Sequence, residues 1–98
     1  MNVHWTESAL ADLDVIEIHI ARHSAQYARG MIERIFARTD LLGRQPRIGP
    51  MVPEFEDEAI RELFEDPYRI VYRVNADRVD IVAVVHAARS MPKDFEAL

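Results

Sequence analysis

Apolar and polar positions change period part-way along the chain. Ala9, Leu13, Ile16 and Ile20 recur at i, i+4, i+7 and i+11, the stripe of a helix with one face on a core, while Asp12, Glu17 and His19 are read as the opposite, solvated side. Thr6 stands where an N-cap belongs, Glu7 follows in the first turn, and the spacing predicts a helix ending near His23. Asn2 to Trp5, ahead of it, reads as a short strand. Ser24 is placed to cap a second helix in which Ala28, Ile32, Ile35, Thr39 and Leu42 repeat the spacing and Arg29, Glu33, Arg34 and Arg38 face water. The short junction makes the pair an antiparallel hairpin.

Gly43 and Pro46 are stop signals, and Gly49-Pro50-Met51-Val52-Pro53 continues no regular element, so this stretch is read as the one linker. From Ala59 onward the period falls to two. Ala59 to Phe64, Tyr68 to Val74 and Val79 to Ala87, separated by turns at Asp66-Pro67 and Asn75-Ala76-Asp77, predict a three-stranded antiparallel meander. In its middle strand Tyr68, Ile70, Tyr72 and Val74 alternate with Arg69, Val71 and Arg73, giving one apolar and one largely cationic side. Ile81-Val82-Ala83-Val84-Val85 breaks the alternation and is apolar on both sides, as in a central strand covered on each face. The helical hairpin covers only one face, so either residues 88 to 98 or a second protein must cover the other.

The expected fold is therefore α+β: a short N-terminal strand, a two-helix hairpin and a small antiparallel sheet ending in a meander, with residues 1–98 forming one domain around one core. No cysteine is present, which excludes disulfides and thiolate metal sites and suits a reducing compartment. No basic leader precedes an apolar run, and no run approaches the roughly 18 apolar residues that span a bilayer, so a cytoplasmic protein without a membrane partner is expected. The net charge of −5 argues against strong direct nucleic-acid binding, although six arginines lie in residues 22–47 and seven acids in residues 54–66.

His19 and His23 stand four apart on a helix, a spacing that can serve a metal, but no third ligand lies near in sequence and they are read as surface residues. Without a glycine-rich phosphate loop, no cofactor is expected.

The order of elements, together with Trp5-Thr6, Ala11-Asp12-Leu13, Pro46-Arg47-Ile48-Gly49, Ile60-Arg61-Glu62-Leu63, Tyr68 to Val74 and Val85-His86-Ala87-Ala88-Arg89, resembles the RelE/ParE toxin superfamily over nearly the whole chain. The resemblance implies the toxin of a type II toxin–antitoxin system, neutralised by a cognate antitoxin, a small and commonly ribbon-helix-helix DNA-binding protein. It implies one of two activities: ribosome-dependent cleavage of messenger RNA, or inhibition of DNA gyrase. A chain that binds its antitoxin and has lost its toxicity is the third reading.

For RNA cleavage, Arg61, Arg69 and Arg73 are candidates for a cationic cluster, His86 for the acid and Glu54 or Glu62 for the base, with Arg89 beside them. Against it, His86 is followed by Ala87-Ala88 where ribonuclease members resembling this chain carry His-Tyr, and the acidic chain suits a ribosome poorly. The His-Ala-Ala-Arg ending resembles the ParE branch, which needs a binding surface and no proton transfer. Arg61, Tyr68, Arg69, Arg73, His86 and Arg89 are the target-binding candidates on that reading. Each also has a structural reading: Tyr68 and Tyr72 as core, Arg69 and Arg73 paired with Glu62 or Asp80, and His86 as a strand-end residue.

Overall fold

The computed structural model describes residues 1–92. Its elements are β1 (Asn2–Trp5), α1 (Glu7–Ala21), α2 (Ala25–Asp40), a 3₁₀ turn at Leu41–Gly43, β2 (Ile60–Glu65), β3 (Tyr68–Val74) and β4 (Arg78–His86). The four strands form one sheet in the order β1-β4-β3-β2. The meander β2-β3-β4 is antiparallel, and β1 joins it parallel to β4, so β4 is a central strand.

Both caps form. The Thr6 hydroxyl accepts from the Ala9 N–H, and the Ser24 hydroxyl accepts from the Tyr27 N–H. Thr6 also donates its hydroxyl to the Ile81 carbonyl at 2.8 Å, which ties the start of α1 to the end of the β1–β4 pairing. One core lies between the helices and the sheet, with Ala9, Leu13 and Ile16 of α1, Met31 and Ile35 of α2, and Tyr68, Ile70, Tyr72, Val79, Ile81 and Val84 of the sheet. In α2 Met31 is buried together with the expected Ala28, Ile35 and Thr39, whereas the expected Ile32 is only partly buried.

The loss of alternation in β4 has a geometric cause. Tyr72 stands opposite Ile81 and Val71 opposite Ala83, so Val82 is an extra residue and the strand is bulged there. A bulge of this kind re-aims the following side chains. Ile81 and Val84 therefore face the helices, whereas Val82 and Ala83 both face the far side.

That far side is not left for another protein. A second cluster roofs it: Val52 and Phe55 of the 44–59 segment and Met91 pack on Ile60, Val71, Val82 and Ala83. The stretch read as a plain linker folds back along β2, where Glu62 donates its N–H to the Pro50 carbonyl and Val52 donates to the Ile60 carbonyl. The sheet face thus gives no ground for a partner. Of the tail expected to help cover it, Met91 does so, and residues 93–98 lie outside the described residues.

The segment can lie so close because of Gly49. A Cβ there would collide with the Glu62 carbonyl oxygen and press on the Tyr72 hydroxyl. The Gly49 N–H donates to the Tyr72 hydroxyl at 3.1 Å, and its carbonyl accepts from Arg61 at 2.9 Å.

Candidate functional site

A groove of about 510 Å³ runs between α1 and the end of β4. Ser8, Asp12, Val15 and His19, at i, i+4, i+7 and i+11, line the helical wall. Val84 and His86 line the other wall, and Arg89, Ser90 and Pro92 complete the lining. The groove exists because β1 stops at Trp5, opposite Ile81, while β4 runs on to His86.

Around the corner lies a more apolar hollow of about 620 Å³, with Ile20, Tyr27, Met31 and Pro67 in its walls. The two share His19, Tyr68 and His86. Tyr68 meets the His86 ring edge-on, with ring centres 5.6 Å apart. Burial raises the Tyr68 hydroxyl pKa, with Tyr27 adding to the shift and Arg89 opposing it. The His86 Nδ1 accepts from the Ala88 N–H at 3.0 Å, which leaves Nε2 as the ring's donor.

Asp12 is not on a solvated side of α1. Its Oδ2 accepts from the Val84 N–H at 2.9 Å, and burial lifts its carboxyl above the usual range, opposed by that bond. The solvent side of α1 is instead apolar in part, for Val15 and Ile18 are 66% and 63% exposed. α1 is thus apolar on more than its core face, the pattern of a helix whose outer side meets another surface.

The remaining candidates are elsewhere. Arg61 lies under the 44–59 segment, donating to the Gly49 and Glu58 carbonyls. Arg69 is on the far side of the sheet, held at 2.6 Å by Glu62 and by two 2.8 Å bonds to Glu54. These carboxylates raise the Arg69 pKa further, and Arg69 in turn holds the Glu54 carboxyl down at about 2. Arg73 pairs with Asp57 at 3.7 Å, while Asp80, its expected partner, pairs with Arg78. The structure therefore brings together Tyr68, His86 and Arg89 and separates them from Arg61, Arg69 and Arg73. His19 and His23 are both exposed, and among the described residues no group of three or more His, Cys, Asp or Glu is arranged to hold a metal. Asp12, Val15 and Ile18 are the site residues that pattern reading passed over. The two apolar residues off the core stripe were the available signal.

Residues 3–91 match the family described as ParE toxin of type II toxin-antitoxin system, parDE. The chain belongs to this family. It is 38% identical over 88 residues to Toxin RelE2 of Caulobacter vibrioides, an alignment covering 89% of this chain and 96% of that protein. Among solved structures it is similar to a chain of the chromosomal ParDE TA system from P. aeruginosa, with a TM-score of 0.75 and 25% identity over 88% of this chain and 95% of that one. This ParE-family toxin thus shares the two-helix, four-stranded α+β fold of that structure. Its groove and apolar helix face are the features of that fold to which a function must be attached.

Proposed function

We propose that this toxin acts by binding DNA gyrase in the cytoplasm and is held inactive by a cognate antitoxin seated on the outer face of α1 and the adjoining groove. The single observation that carries the choice of target is the engagement of the polar groups that RNA cleavage would require. Glu54, a candidate base, is locked on Arg69 with its pKa held at about 2, which makes it a poor proton acceptor at neutral pH. Glu62 is buried against the same guanidinium. Arg61 gives two of its guanidinium N–H groups to carbonyls of its own chain, while Arg69 is held by Glu54 and Glu62 and Arg73 by Asp57, so the three cations have separate partners. What remains on the groove side is a shaped surface with Tyr68, His86 and Arg89 in its lining, suited to recognition.

Support for the antitoxin comes from the apolar side chains Val15 and Ile18 next to a concave groove, since contiguous exposed apolar surface marks a protein contact. The test is to add purified toxin to a gyrase supercoiling reaction and, in parallel, to map messenger ends in cells expressing it. Supercoiling should be blocked and messengers left intact. Undisturbed supercoiling together with A-site cuts that vanish in His86→Ala would instead establish the ribonuclease.

A further inference from the structure

Among the described residues the backbone of β4 beyond Ile81 is a sheet edge, because β1 pairs with Arg78 to Ile81 and no other described strand lies on that side. Hydrogen-bonding direction alternates along a strand. The Val84 N–H points to this edge, so the His86 N–H does too, while the Ala87 N–H turns the other way to the Pro67 carbonyl. Such an edge is a template for another chain, and folded proteins commonly blunt it with a charge. Here the blunting group is Asp12, which comes from one helical turn inside α1 and reaches across 72 positions of sequence to Val84. Its carboxylate occupies the place that a main-chain carbonyl of an added strand would take.

We propose that Asp12 is a removable cover of the β4 edge: in the free toxin its carboxylate holds the Val84 N–H, and an extended antitoxin segment displaces it by adding as a strand alongside Val84 to His86. This rests on the antitoxin reading above and adds to it the form of the partner at this site. An extended main chain fits because the edge presents backbone donors at alternate residues, which a helix with its carbonyls engaged internally cannot satisfy. In that position alternate side chains of the segment face α1 between Val15 and His19, so small or apolar residues are required at every second position. A second toxin copy is disfavoured as occupant because each copy brings its own Asp12 carboxylate to the shared edge.

The cover has a cost that can be measured. Breaking the bond to Asp12 opposes strand addition, so Asp12→Ala should bind the antitoxin about tenfold more tightly than the unchanged toxin. The partner used is the product of the neighbouring antitoxin reading frame, co-expressed and co-purified with the toxin, and titrated against it after separation. Amide hydrogen exchange at Val84 is read in the same samples. It should be slow in the free toxin, at least tenfold faster in free Asp12→Ala, and equally slow in both complexes. Asp12→Asn, which keeps an acceptor without the charge, should tighten binding by a smaller factor and serves if Asp12→Ala does not fold.

Weaker binding by both variants would mean that Asp12 contacts the antitoxin directly, and would overturn the proposal. So would an unprotected Val84 amide in a complex that does form, which would leave the antitoxin reading standing. Protection of Val84 in Asp12→Ala that rises with toxin concentration alone would make a second copy the occupant. Failure of the neighbouring product to bind at all would remove the antitoxin reading and this one with it.

Discussion

Arg69 and Glu54 meet through two parallel 2.8 Å hydrogen bonds, and the same guanidinium holds Glu62 with its remaining nitrogen. The pair clamps the 44–59 segment to the far side of the sheet, above Val71 and Val82. The two carboxylates contribute unequally. Glu54 is 43% exposed and solvent screens it, so Glu54→Gln should cost only about 0.5–1 kcal/mol. Arg69 and Glu62 are 11% and 4% exposed, and Arg69→Ala, which strands a buried carboxylate, should cost about 3–5 kcal/mol by urea unfolding. The pH dependence follows from the lowered Glu54 pKa. Its contribution is complete above the ordinary value of 4.5 and disappears as pH falls toward about 2, so Glu54→Gln should flatten the acid limb of stability in that window. An unchanged acid limb would show that the clamp does not act in solution.

Gly49 and Tyr72 form the other fastening of the same segment. Gly49→Ala drives a methyl group into the Glu62 carbonyl and should destabilise by at least about 1–3 kcal/mol. Tyr72→Phe leaves the buried Gly49 N–H without its acceptor and should cost about 1–3 kcal/mol. Thermal unfolding of both variants checks this, and a double variant no worse than Gly49→Ala alone would confirm that they share one contact.

Val15 and Ile18 should separate folding from binding. Both are exposed on α1, so Ile18→Glu should change stability by no more than about 0.5 kcal/mol. The same substitution places a charge in the apolar surface assigned to the antitoxin, and the complex should no longer survive co-purification. A variant that unfolds, or one that still co-purifies at full yield, would move the contact elsewhere.

The local periods of the chain were enough to determine both helices, their Thr6 and Ser24 caps, the meander and its turns, because a period of 3.6 or 2 and a capping hydroxyl act within a few residues of one another. The apolar run in β4 also signalled cover on two faces. Only the tertiary structure decided what supplies that cover, because the packing of Val52 and Phe55 depends on a close approach at Gly49, and that of Met91 on the path of the tail, which no period records. It also decided that Arg69 takes Glu54 besides the Glu62 expected from the strand pattern while Arg61 stays apart, and that Asp12 turns to Val84 rather than to water. Those partners are brought together by strand order and by the return of the 44–59 segment along β2. Such long-range pairings leave no mark in the sequence near either member.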